Sequence, residues 1–205
     1  MELLLAILPV SLSSGINLYL TLFALGVTER AGWYDLPEAV DIVASLPVMA
    51  VSGVLLLVEF FADKIPYVDS VWDFLHTFVR PVGALLLAMG FIPADDPELR
   101  TAVMLLAGTT ALTAHGSKAS FRALVNTSPE PVSNSVVSIL EDTFVLGIIA
   151  LFIMFPLIAT GVSIVVLVGL IIALVLIFRW ARRVFGSVRD FLLRKPIPPR
   201  TEATT

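Results

Sequence analysis

The chain has 205 residues, of which 58% are hydrophobic and only 15% charged, against roughly 25% charged in a soluble domain. A soluble chain of this length forms one core and has no place for so many apolar side chains; with a mean hydropathy of +0.96, the composition excludes that class and predicts an all-α, polytopic transmembrane helix bundle. The net charge of −4 is uninformative because the charges are segregated along the chain, and the absence of cysteine excludes disulfides, thiolate metal sites and cysteine nucleophiles. Two histidines argue against a multi-histidine metal centre, no cofactor or nucleic-acid partner is expected, and any other metal site is left open.

Met1 to Ala6 lacks the basic stretch of a secretory signal, and the apolar run continues past any cleavage site, so the amino terminus reads as a retained first span. A helix crosses the hydrocarbon core with about 20 apolar residues. Six stretches are predicted to do so: Leu3 to Val27, Ala44 to Phe61, Val68 to Phe91, Leu99 to Val125, Val132 to Phe155 and Thr160 to Phe178. Broken helices are expected at two points, Ser13-Ser14-Gly15 with Asn17 in the first span, and Arg80 in the third, where Pro81 disfavours helical geometry at the residue before it. The last two spans form one nearly uncharged run, with a tight turn expected at Pro156 and Thr160-Gly161.

Residues 1–178 are thus expected to form a single transmembrane domain, and residues 179–205 a basic amphipathic segment and tail. Arg179, Arg182, Arg183, Arg189, Arg194, Lys195 and Arg200 collect after the last span and place the tail in the cytoplasm. Six spans then put both termini on that side, with Lys64, Lys118 and Arg122 near the inner face and the acidic loops outside. The segment from Arg179 to Lys195, with Trp180, Phe185 and Phe191, fits an interfacial helix whose Arg179, Arg182, Arg183 and Arg189 contact anionic lipids; a simple topology signal fits as well.

An offset of 65 residues aligns Pro66-Tyr-Val-Asp-Ser-Val with Pro131-Val-Ser-Asn-Ser-Val, and an offset of 63 aligns Gly53, Glu59 and Asp63 with Gly116, Arg122 and Asn126. A two-helix unit over about 44–91 is therefore expected to recur over about 99–155. Residues three, four and seven apart share a helix face. By that rule Asp69, Asp73, His76 and Arg80 form one stripe, Asn134, Ser138 and Glu141 with Asp142 another, His115, Lys118, Arg122 and Asn126 a third, and Ser52, Glu59 and Asp63 a fourth. A charge at the bilayer centre costs roughly 2.5–3.5 kcal/mol, so these faces should turn toward one another or toward water.

Each stripe also has a structural explanation. Asp69 and Asn134 or Ser133 can serve as helix caps, and Lys64, Lys118 and Arg122 can snorkel from the inner face with Glu59 and Asp63 as partners. Asp73, His76, Arg80, His115 and Glu141 lie further from any helix end, which favours function over an ion-pair network alone.

Ser14-Gly-Ile-Asn-Leu-Tyr19, Glu59-Phe-Phe-Ala-Asp-Lys-Ile-Pro66 running into Asp69-Ser-Val-Trp-Asp73, His115-Gly-Ser-Lys-Ala119 and Asn126-Thr-Ser-Pro-Glu-Pro-Val-Ser-Asn134 with Glu141-Asp142 resemble the bacterial membrane family known as domain of unknown function 4126. The likeness covers Ser14 to about Asp142, implies a bacterial inner-membrane location, and assigns no activity. Glu59 to Lys64 is more loosely similar to the Glu-x-Gly-Asp-Lys signature of a cation-exchanger family, with one residue more and no glycine.

The leading functional expectation is a small transporter or channel with a cytoplasm-facing polar cavity, moving an ion or small charged solute. Glu59, Asp73 and Glu141 would be its cation or proton sites, His76 and His115 proton relays, and Arg80 the counter-charge, with Asn17, Asp63, Asp69, Lys118, Arg122, Asn126, Asn134 and Asp142 completing the lining. The alternatives are a membrane-embedded enzyme acting on a lipid headgroup, for which no nucleophile elbow, phosphate loop or zinc motif is present, and a scaffold subunit whose charges fix helix register. A homo-oligomer is expected if six spans are too few to enclose a pathway.

Overall fold

The computed structural model describes residues 2–93, 95–126 and 131–192, and every regular element among them is helical. The stretch from Thr127 to Glu130 of the resemblance motif, Ala94 of the acidic loop, and Arg194, Lys195 and Arg200 of the tail lie outside the described residues, as do the side chains of Arg189 and Phe191.

Seven helices follow in order: α1 (Glu2–Ile16), α2 (Leu18–Arg30), α3 (Leu46–Ala62), α4 (Pro66–Gly90), α5 (Pro97–Val125), α6 (Pro131–Met154) and α7 (Pro156–Leu192). Four of them begin on proline, which suits a first helical position because its missing N–H would have no intrahelical partner there. Asp96 caps α5 by accepting from the Leu99 N–H at 2.9 Å. At the end of α2, Gly32 adopts φ +67°, and the N–H groups of Gly32 and Trp33 return to the carbonyls of Glu29 and Thr28, a glycine-terminated helix stop.

The bundle is inside out relative to a soluble protein. Arg80 and Arg122 are the largest fully buried side chains, while Phe74 and Phe78, on the same helix as Arg80, are each 69% exposed. Among the described residues, α4, α6 and α7 are long and apolar enough to cross a membrane, and only 6% of the apolar window of α7 is buried within the protein. An apolar exterior over a charged interior is what hydrocarbon solvent selects, and it marks a membrane protein.

Two ends of the bundle can be distinguished. The 63–65 turn and Asn126 lie at one, the turn end; the 31–45 segment, Phe91 and Phe155 lie at the other, the loop end. Helices α3 to α7 alternate between them. The first two helices do something different. Leu5 of α1 accepts a hydrogen bond from the Thr160 hydroxyl near the start of α7 at 2.8 Å, and Ala6, Ile7 and Val10 join Leu36, Val40, Phe91 and Phe152 in the apolar cluster at the loop end. Arg30 of α2 donates to Ala44 at the same end. Between them Ile16 and Tyr19 lie in the interior, beside Lys118 and His76. Helices α1 and α2 therefore form a hairpin that enters from the loop end, bends at Asn17 and returns.

The expectation of one straight span from Leu3 to Val27 is corrected: the chain folds back at Asn17, and the amino-terminal end of α1 lies opposite the turn end, where α7 finishes. The bend falls where expected because Ser13, Ser14 and Gly15 weaken the helix and Asn17 caps the next one from an extended conformation, φ −145° and ψ 99°. The other expected break is absent. Helix α4 runs through Pro81, losing one backbone donor. The turn between α6 and α7 lies at Phe155, ahead of Thr160-Gly161, and α7 continues without interruption from the apolar span through Arg179, Arg182 and Arg183.

Gly15 makes the hairpin fit. A Cβ there would come within 2.7 Å of the Ala114 Cβ and 2.8 Å of the Ala111 Cα, so α1 lies directly on the backbone of α5.

Candidate functional site

The residues singled out from the sequence converge in the half of the bundle toward the turn end. Asp63 caps α3, Asp69 and Asp73 lie in the first turns of α4, and His115, Lys118 and Arg122 in the last turns of α5, so one layer receives side chains from every helix pair. Glu59, Asp63, Asp69, Asp73, His76, Arg80, His115, Lys118, Arg122 and Asn134 are all buried.

Three cations organise the layer. Arg80 donates to Glu59 Oε1 at 2.7 Å and to His115 Nδ1 at 2.8 Å, and lies 3.6 Å from Asp73 Oδ1. Lys118 Nζ lies 3.3 Å from Asp63 and 3.5 Å from each of Glu59 and Glu141. Arg122 uses every nitrogen of its guanidinium: Nε and Nη2 donate to Glu141, the latter at 2.7 Å, Nη2 also donates to Asp63 Oδ2 at 3.0 Å, and Nη1 donates to the Asp63 and Asn134 carbonyls. Asp69 Oδ1 is 3.7 Å from that guanidinium. Five carboxylates thus share three cations.

Amides tie the edges. Asn17 donates to Asp142 at 2.9 Å, Asn126 donates to Asp69 at 3.0 Å, and Asn134 donates to Asn126 at 2.8 Å. Lys64 stays outside the layer, its ammonium donating to the Phe60 carbonyl and standing 3.0 Å above the Phe60 ring.

The hydrogen bonds fix the histidine tautomers. A carbonyl only accepts, so His76 Nδ1, 2.7 Å from the Trp72 carbonyl, carries the proton and Nε2 accepts from the Tyr19 hydroxyl at 2.9 Å. A guanidinium only donates, so His115 Nδ1 is bare where it faces Arg80, and Nε2 donates to the Asp73 carbonyl at 3.0 Å. Both rings are satisfied as neutral imidazoles. A second proton on His115 would set two donors 2.8 Å apart, so any relay through it requires Arg80 to move.

The interior is therefore packed with ion pairs and is not an open polar chamber. A pocket of about 270 Å³ opens between α4 and α5, lined by Asp69, Ser70, Asp73, Thr77 and Arg122 together with the apolar Phe74, Ala119 and Ala123. Asp73 is 4% exposed, and among the described residues neither of its carboxylate oxygens accepts a hydrogen bond. Among the described residues, no group of three or more His, Asp or Glu converges as a metal-ligand set.

Sequence reasoning missed Tyr19, Thr77 and the carbonyls of Gly15 and Ile16. Tyr19 was visible two residues after Asn17 in the motif that carries the family resemblance, whereas a main-chain carbonyl becomes a ligand only once the helix is seen to bend.

No curated protein and no solved structure matches the chain. A family model described as a domain of unknown function matches residues 4–177, a span that takes in the whole network and the α1–α2 hairpin. The chain belongs to that family, domain of unknown function 4126.

Proposed function

We propose that the protein is a small carrier or channel of the bacterial inner membrane in which protons exchange with the buried carboxylates, in step with the movement of an ion or small charged solute. The observation that carries this reading is the charge count of the network. Five carboxylates against three cations leave an excess of two negative charges away from water, and a low-dielectric interior resolves such an excess by taking up protons or a cation.

Asp73 is the carboxyl best suited to exchange, because it borders the pocket between α4 and α5 and, among the described residues, neither of its oxygens has a hydrogen-bond donor. The re-entrant hairpin supports the same reading. Backbone that breaks at depth frees carbonyls for ions and cationic side chains, and is tolerated where it lines a polar site.

In this topology α3 to α7 make five crossings and α1–α2 dips in from the loop end. The arginines of α7 and Lys64 support a cytoplasmic turn end, where Arg179, Arg182 and Arg183 would meet anionic headgroups. The two helix pairs α3–α4 and α5–α6 run the same way, as a duplicated unit would.

Purified protein in liposomes should carry a pH-dependent flux within a panel of monovalent ions and small acids, and Asp73→Asn should abolish it with the melting temperature retained. If the wild-type vesicles move nothing in that panel while a lipid is converted to product, the carrier reading fails in favour of a headgroup enzyme; if neither occurs, a scaffold remains.

A further inference from the structure

A groove of about 380 Å³ opens sideways between α5, α6 and α7, away from the cavity beside Asp73. Its walls are Phe121, Val137, Leu140, Phe144, Val166 and Leu170, and its depth comes from two small residues of α5, Ala114 and Ser117. Leu140 is 63% and Phe121 49% exposed on its rim, so the groove is continuous with the surface that faces the acyl chains. A cleft on a membrane-spanning wall is filled by hydrocarbon, and the question is what headgroup its floor selects.

The floor is the ion pair of Lys118 and Glu141, 3.5 Å apart. The two are not equally reachable. Lys118 is 3% exposed and already held by Ile16, Asp63, Glu59 and Glu141, whereas the Glu141 side chain is 16% exposed and its carboxylate has acceptor capacity beyond Arg122 and Lys118. Glu141, the more exposed of the pair, is an acceptor inside a network with excess negative charge, and the Ser117 hydroxyl in the same lining is spent on the Leu170 carbonyl at 3.3 Å. Glu141 suits a head that donates a hydrogen bond and carries no negative charge.

Depth narrows the class further. Glu141 is ten residues into α6, about 15 Å along the helix from the turn end, well below the headgroup layer. A phosphate would have to leave the interface to reach it, whereas a hydroxyl can sit at that depth once its hydrogen bond is made.

We propose that this groove binds a neutral, hydroxyl-headed lipid of the bilayer, of the class of diacylglycerols and long-chain alcohols, with the chain along α6 and α7 and the hydroxyl donating to Glu141. The inference rests on the proposed function in its use of the network's charge count, but it concerns a different wall of the bundle, so lipid binding there and proton exchange at Asp73 can fail separately.

The test uses the full chain in phosphatidylcholine nanodiscs, with dioleoylglycerol and a C18 alcohol as ligands and dioleoyl phosphatidylglycerol and oleate as comparisons. The hydroxyl-headed compounds should raise the melting temperature saturably, the anionic ones should not, and an alcohol with a diazirine in its tail should crosslink to residues 137–144 and 166–170. Ala114→Phe, which fills the floor, should remove both effects. If that variant fails to fold, Leu140→Trp at the exposed rim replaces it and should weaken labelling at least tenfold. Equal shifts with the anionic lipids, labelling spread evenly over the apolar surface, unchanged labelling in the filled variant, or α6 crosslinking to a second copy across the groove would each overturn the proposal.

Discussion

Lys118 donates to the main-chain carbonyl of Ile16 at 3.2 Å, 102 residues away in the chain. In an unbroken helix that carbonyl would receive the N–H of Leu20, but Leu20 donates instead to the Asn17 side chain at 2.9 Å. The Asn17 amide meanwhile donates to Asp142, so one asparagine bends the hairpin, frees an acceptor for Lys118 and fixes a carboxylate on α6. Gly15, one residue before Ile16, offers its carbonyl to Arg80 at 3.4 Å.

Asn17→Ala should therefore cost more than an ordinary cap. Loss of the cap alone is worth about 1 kcal/mol, and leaving Asp142 without its donor adds about 1–3 kcal/mol. Asn17→Asp keeps the cap acceptor but sets a second carboxylate against Asp142, so it should be at least as destabilising. Thermal unfolding in detergent at neutral pH measures both; an Asn17→Asp variant as stable as wild type would contradict the assigned hydrogen bond.

The Arg80–Glu59 pair, both side chains 0% exposed, gives a second prediction. Arg80→Met leaves the buried Glu59 carboxylate with only its longer 3.5 Å contact to Lys118 and should destabilise by about 3–5 kcal/mol. Adding Glu59→Gln should recover a large part of that loss, since the stranded charge disappears with it. Strict additivity in this double-mutant cycle would mean that the two groups do not interact as their 2.7 Å contact requires.

Two glycines of the bundle should respond in opposite directions. Gly15→Val drives a branched side chain into the α5 backbone and should cost about 1–3 kcal/mol, with loss of the Arg80 and Lys118 contacts to the hairpin. Gly116, between His115 and Lys118 in the later turns of α5, has nothing within 4 Å of an added Cβ, and Gly116→Ala should be neutral or stabilise by up to about 1 kcal/mol. The comparison is made by melting temperature on the two variants side by side.

The hairpin has a topological consequence that labelling can read, because the chain has no cysteine of its own. A membrane-impermeant thiol reagent applied to sealed vesicles should modify Gly32→Cys and a cysteine added before Met1 from one side, and Lys64→Cys from the other. Reaction of the amino-terminal cysteine and Lys64→Cys from the same side would restore a six-crossing topology.

Much of this was legible in the sequence because membrane burial inverts the usual rule. A charge at i, i+4 and i+7 of an apolar helix has to face inward, so Asp69, Asp73, His76 and Arg80 could be assigned to one face without knowing their partners. The pairings were legible only in part. Glu59 and Asp63 were read as partners of Lys118 and Arg122, and both cations do reach them. That Arg80 reaches Glu59 was not, because nothing in helical periodicity sets the rotation and height of one helix against another. The topology of the first span was misread for a related reason. Length and hydropathy of Leu3 to Val27 fit one crossing, and only the contacts of Leu5 with Thr160 and of Arg30 with Ala44, at the same end of the bundle, reveal that the chain turns back at Asn17. Pro81 shows the converse, a breaker that the packed helix tolerates.

The central claim is that the network's excess negative charge is held in check by exchangeable protons, and infrared spectroscopy of the folded protein in lipid tests it most directly. A carboxylic-acid carbonyl band should be present near neutral pH, should shift in deuterated buffer as the proton exchanges, and should be reduced in Asp73→Asn at unchanged melting temperature. A spectrum with ionised carboxylates alone, identical in wild type and Asp73→Asn, would contradict the account.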